Sequence, residues 1–205
     1  MDVFKQLGKS VGLVTNTRVT HATPAAVYAH SFDRNWEDDS KVPEDCLQDD
    51  IALQLINSNI DLVLGGGRGH FLPIEVLNQK GKRKDSRNLI EEFKTNGGVF
   101  LNDNNDFKNY KIDNNKRLIG LFSDSHFPYL AEKENKPSLL ELSNLAIEYL
   151  NRNKKGFYLL IEAGRIDHGH HAGKLNYVLK QTQQFNNLIQ NVLAKVNLKE
   201  TLLIV

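Results

Sequence analysis

The sequence predicts an α/β fold on a mostly parallel sheet, and two observations carry the prediction. Short apolar runs recur without the alternation of a sheet that is wet on one face, and helical patterns lie between them. The first run is at residues 11–14, and a helical pattern follows at 47–56. A second run at 61–64 precedes a helix over 89–93 that stops near Gly97 and Gly98. The third run, 118–122, leads to a helix over 139–150, opened by the capping-box pair Ser138 and Glu141. The fourth run is 157–161. After it, Leu175, Val178, Leu179, Phe185, Leu188, Ile189, Val192, Leu193 and Val196 recur every three or four positions, as in one long amphipathic helix. A last strand is expected at 202–205, with the chain cut where the next functional loop of a parallel sheet should begin. The polar stretches 79–87 and 102–115 read as surface connections, and no internal repeat is present.

With 205 residues, 40% of them apolar and 8% aromatic, one globular domain is the expectation. Twenty-six basic and 25 acidic side chains leave a net charge of +1, which excludes a broad electrostatic footprint for nucleic acid or an anionic membrane. No apolar stretch reaches the roughly 18 residues of a membrane span, and the start at residues 1–5 lacks the pattern of a signal peptide. Cys46 is the single cysteine, which fits a buried inert thiol, a reducing compartment, or a disulfide whose partner lies outside these residues.

The densest chemistry follows the fourth run. Asp167 and His171 are four apart and share one face of a helix, where a carboxylate oxygen and an imidazole nitrogen can grip one zinc ion. A catalytic zinc site normally takes three protein ligands, so one ligand is wanting here. Glu162 ends the strand before a turn at Ala163 and Gly164, a position suited to a hard cation such as magnesium. The plainer reading is a strand-end glutamate beside a solvated or hydrogen-bonded histidine cluster.

Elsewhere, Gly65, Gly66, Gly67 and Gly69 follow a strand, but His70 stands where a dinucleotide fingerprint needs glycine, so a tight, closely packed turn is expected. His21 and Thr23 precede Pro24, which can start a helix, and the plain use of Thr23 is an N-cap. Arg34 offers a guanidinium, the side chain best shaped to hold phosphate through two hydrogen bonds; its plain use is a surface salt bridge to Asp33 or Glu37. Glu37, Asp38 and Asp39 read as a solvated turn.

In the same order, the segments at 8–15, 17–24, 34–36, 64–68 and 161–171 resemble those of alkaline phosphatases, particularly the animal cell-surface branch, since His21 and His168 stand where some bacterial relatives carry Asp and Lys. The resemblance implies a phosphomonoesterase with two zinc ions and one magnesium that works through a phosphoserine. Asp167 and His171 then correspond to ligands of the first zinc, Glu162 and Thr23 to magnesium ligands, Arg34 to the phosphate clamp, and His21 and His168 to groups acting through water. It also implies a homodimer, lipid-anchored outside the cell, and pairs Cys46 with a cysteine upstream of these residues. The family's nucleophilic serine and its Thr-Ala-Asp-His segment lie outside the chain as given, so the expectation is the central part of one phosphatase domain, inactive alone. Ser123 and Lys136 replace the acidic residues of the family's calcium site, so no calcium is expected. A sulfatase or diesterase of the same superfamily is the alternative enzyme, and a catalytically dead metal- or partner-binding remnant the alternative class.

Overall fold

The computed structural model describes residues 1–76, 78, 80–113, 115–130 and 135–205. Five parallel strands form one sheet in the order β3-β4-β2-β1-β5, with β1 at Ser10–Arg18, β2 at Leu62–Gly66, β3 at Val99–Leu101, β4 at Leu118–Leu121 and β5 at Phe157–Glu162. Helices are α1 (Asp2–Gln6), α2 (Ala22–Ala25), α3 (Ile51–Asn57), α4 (Leu89–Thr95), α5 (Asn104–Asn109), α6 (Leu139–Leu150), α7 (Arg165–His171) and α8 (Leu175–Lys195). None of those described is long and apolar enough to cross a membrane.

The apolar runs are continuous because each strand is covered on both faces. Val11 and Leu13 of β1 and Val63 of β2 pack with Leu55 and Ile56 of α3 and with Leu89 and Phe93 of α4. The alternate residues, Val14, Leu62 and Leu64, pack with Leu142, Ala146 and Leu150 of α6 and with Leu188 and Val192 of α8. Gly12 admits α6 closely: a Cβ there would lie 2.5 Å from Leu150 Cδ1. The capping box forms as expected, Glu141 N–H donating to Ser138 Oγ and Ser138 N–H to Glu141 Oε2, at 3.2 and 2.7 Å.

Four expectations about elements and connections need correction. Residues 202–205 form no strand; they carry no regular secondary structure and are mostly exposed, Leu202 at 85%, with no ladder partner among the described residues. An apolar run becomes a strand only when another strand satisfies its backbone. The helix expected over 47–56 starts at Ile51, because the Asp50 carboxylate accepts from Leu53 N–H and caps it, leaving Leu47 in solvent. The connection 102–115 contains α5, capped by Asp103, and is preceded by the three-residue strand β3, too short to show as a run. In the connection 79–87, Arg83 is fully buried rather than superficial, its guanidinium donating to Asp50 and Asp85; Gln79 and Asn114 of these two stretches lie outside the described residues.

Candidate metal and phosphate site

The carboxyl ends of β1 and β5 converge with the loop after β4, which is where open parallel sheets gather their chemistry. Parallel pairing sets Thr15 beside Glu162, and β1 bulges between Val14 and Arg18. Thr15 and Thr17, both buried, donate their hydroxyls to the same oxygen, Glu162 Oε2, at 2.5 and 2.9 Å. Gly164 makes the turn possible, since a Cβ there would meet Thr17 Cγ2 at 2.5 Å. A strand-end glutamate is thus fixed before any ligand arrives.

Asp167 and His171 do share a face of α7, with Oδ1 and Nε2 3.4 Å apart, and both side chains are largely exposed, at 68% and 80%. His168, on the same helix, turns inward. It meets His21, the N-cap residue of α2, and His126 from the loop after β4, at ring-centroid separations of 5.3 and 4.4 Å. Thr23 is not the cap: it is exposed within α2, and no hydrogen bond joins it to Glu162 among the described residues. Arg34 is exposed and donates from Nη2 to His21 Nε2 at 3.1 Å, in place of the expected pairing with Asp33 or Glu37.

Glu37 and Asp38 correct the expectation of a solvated turn. Both are buried: Glu37 takes two hydrogen bonds from the Arg18 guanidinium, at 2.8 and 2.6 Å, and one from Thr20. Asp38 Oδ2 lies 2.6 Å from His70 Nδ1. Burial pushes the Glu37 carboxyl up, but the Arg18 bonds, the His70 charge and Thr20 outweigh it and hold the group below the ordinary range. Asp38 is lowered likewise, burial being outweighed by hydrogen bonds from His70 and Ser40. These two residues anchor the base of the loop that carries Arg34.

The three imidazoles stay neutral near pH 7. Burial lowers all three: His126 is pushed down to about 2, with Arg18 adding to the effect, while Arg18 also lowers His21 and Arg165 lowers His168. The glycine-rich turn after β2 serves packing, as expected. Gly67 N–H donates to the carbonyls of Ser123 and Ser125, and a Cβ on Gly66 would lie 2.2 Å from Ser125 O. The turn thereby docks the loop that presents His126.

A sequence profile described as alkaline phosphatase matches residues 1–205. The chain belongs to the alkaline phosphatase family. It is 39% identical to an alkaline phosphatase of Gadus morhua over 98% of its own length and 46% of that protein's. Against the tissue-nonspecific alkaline phosphatase isozyme of Homo sapiens it is 37% identical, over 98% of this chain and 42% of the relative. The alkaline phosphatase of Thermus thermophilus superposes with a TM-score of 0.78 at 32% identity, over 94% of this chain and 37% of that one. The chain therefore spans less than half the length of these alkaline phosphatases, and its sheet is a partial version of theirs.

Sequence reasoning alone misses Thr15, Thr17 and His126. Thr15 and Thr17 carry a readable signal, two hydroxyls at strand spacing before the carboxyl end of a buried strand. His126 carries only its place in a loop after a parallel strand.

Proposed function

We propose that this chain supplies the phosphate- and metal-holding part of one phosphomonoesterase domain, which in the complete enzyme hydrolyses phosphate monoesters through a phosphoserine. The observation that carries the reading is the convergence of Glu162, His21, His168 and Arg34 at one end of the sheet, in a chain of this family.

The donors fit the metals that the family implies. Glu162, with two hydroxyls already set against its carboxylate, offers oxygen to magnesium, and Thr23 would complete that set by the family resemblance. Asp167 and His171 offer the mixed oxygen and nitrogen donors that zinc accepts. When bound, such ions neutralise phosphate charge and activate oxygen nucleophiles. Arg34 orients the substrate: its guanidinium holds two phosphate oxygens and leaves His21, which has kept it near the site. His21 and His168 accept protons from, or donate them to, water at the edge of the magnesium site. Lys136 Nζ donates to Ser123 Oγ at 3.3 Å, and this positive charge at the position of the family's calcium site supports a chain that takes no calcium. Dimerisation and a lipid anchor at the outer cell surface extend the proposal by family resemblance alone.

The test is phosphate-monoester hydrolysis by the longest natural product that contains these residues, assayed with zinc and magnesium. Arg34→Ala should lower kcat/KM by about 10²-fold or more, the scale of losing one transition-state donor. Preference for a sulfate ester or a phosphodiester overturns the substrate class, and binding of metal without turnover favours the non-catalytic remnant. The 205 residues alone should bind inorganic phosphate through Arg34 without hydrolysing a monoester; turnover abolished by Arg34→Ala would overturn that part.

A further inference from the structure

A cavity of about 420 Å³ lies between the loop after β4, the start of α6 and the side of α8, a volume in the range of small-molecule sites. Phe127, Tyr129 and Leu139 give it buried apolar walls, and Leu130 adds an exposed one. Tyr129 is held rigidly, with the Arg165 guanidinium over its ring at 3.8 Å and Tyr177 stacked on it at 4.4 Å. Two amides line the same space, Asn16 at 4% and Gln181 at 2% exposure, and amides so deeply buried are uncommon unless paired. Thr15 and Thr17 turn to Glu162, so Asn16 between them turns the other way. There its Oδ1 accepts from Arg165 N–H at 3.2 Å and its Nδ2 donates to Gln181 Oε1 at 3.4 Å. That long bond is the one hydrogen bond of the Gln181 side chain among the described residues, so Gln181 Nε2 keeps its donors unpartnered at the cavity wall. A buried amide nitrogen left in this way costs free energy unless something in the cavity accepts from it.

We propose that this cavity binds a small carboxylate carried on an apolar ring, the ring lying against Phe127, Tyr129 and Leu139 and the carboxylate accepting from Gln181 Nε2. The chemistry of the lining selects that class. Among the described residues no carboxylate lines the cavity, and the charged lining group is the Lys136 ammonium, which donates to Ser123 Oγ at 3.3 Å. Ser138 at the same wall has its hydroxyl committed to Glu141 Oε2 at 2.7 Å. An anionic acceptor therefore meets donors and a favourable sign of charge, whereas an ammonium ligand would meet neither. The site shares no lining residue with Glu162, Arg34, Asp167 or His171, and it stands or falls independently of the phosphatase reading. Yet it lies one hydrogen bond from α7, because Asn16 Oδ1 holds the backbone amide of Arg165, the first residue of that helix.

Benzoate is the probe, titrated into the purified 205-residue chain in excess inorganic phosphate and followed by ligand-observed NMR, with benzylamine as the cationic counterpart. The expected result is saturable benzoate binding, with benzylamine weaker by about tenfold or more. Gln181→Glu keeps an acceptor for Asn16 but sets a carboxylate where the donors were, and should weaken benzoate by about tenfold or more, while Arg34→Ala leaves it unchanged. Leu130→Trp, which crowds the cavity from its exposed wall, replaces Gln181→Glu if circular dichroism shows that the latter does not fold. Absence of saturable binding by the unsubstituted chain overturns the site. So does benzylamine binding that comes within that factor of benzoate, benzoate binding that survives Gln181→Glu or its replacement, or benzoate binding lost through Arg34→Ala.

Discussion

The two carboxylates that the sequence marks for metal, Glu162 and Asp167, sit five residues apart and live in opposite conditions. Glu162 is fixed by two buried threonine hydroxyls at the end of β5, beside a buried brace in which Arg18 grips Glu37 and His70 meets Asp38. Asp167 stands in solvent on a seven-residue helix, 3.4 Å from an imidazole that is more exposed still. The first region is preorganised by folding, so that a ligand finds its donors in place. The second gains order only from what it binds, because an exposed pair of this kind contributes little by itself.

Substitutions should separate the two regions by the size of their effect on folding. The largest is expected for Glu37→Gln, which strips Arg18 of a nearly buried counter-charge and should lower unfolding free energy by about 3 kcal/mol in a denaturant titration. The same variant tests the brace through pH. Glu37 and Asp38 have folded values lowered below their unfolded ones of about 4.3 and 3.9. Their contribution is therefore fully present above about pH 4–5 and is lost as pH falls through the lowered folded values. The unsubstituted chain should lose stability steeply in that acid range, and Glu37→Gln should flatten the limb; equal slopes would remove Glu37 from the brace.

Gly66→Ala comes next, at about 1–3 kcal/mol from overpacking against Ser125 O, measured as a fall in melting temperature. If melting is unchanged, the His126 loop is not seated by that contact. Thr17→Val removes one hydroxyl donor from Glu162 and should cost about 1 kcal/mol, with weaker magnesium binding by calorimetry. The smallest effect belongs to Asp167→Asn, within about 0.5 kcal/mol on folding, while zinc binding at the exposed pair is lost. A destabilisation as large as that of Glu37→Gln would erase the contrast between the regions.

What could be read in advance follows the same division. The strands β1, β2, β4 and β5 and the helices α4, α6 and α8 are legible because cover on both faces leaves unbroken apolar runs and because caps such as Ser138 and Glu141 act locally. The pairing of Asp167 with His171 is legible because it is a property of one helix turn. Glu37, Asp38 and Arg83 were not, because an acidic or basic residue in a polar stretch looks solvated until a distant partner is known: Arg18 for Glu37, His70 for Asp38 and Asp50 for Arg83. His126 was hidden for the same reason, its two ring partners being more than 40 residues away in the chain. The failure at 202–205 is the converse, a local pattern with no partner among the described residues to realise it.

The hydroxyls on Glu162 also bear on how the sheet assembles. β1 pairs with β5 so that Thr15 lies beside Glu162, and side chains alternate in direction along each strand. A slip of one residue would turn Thr15 and Thr17 away from the carboxylate and bury two hydroxyls and a charge without partners. Wrong alignments of these strands are thereby penalised within the chain itself, and the polar corner that serves chemistry in the finished molecule doubles as a proofreader of strand pairing while the molecule is being made.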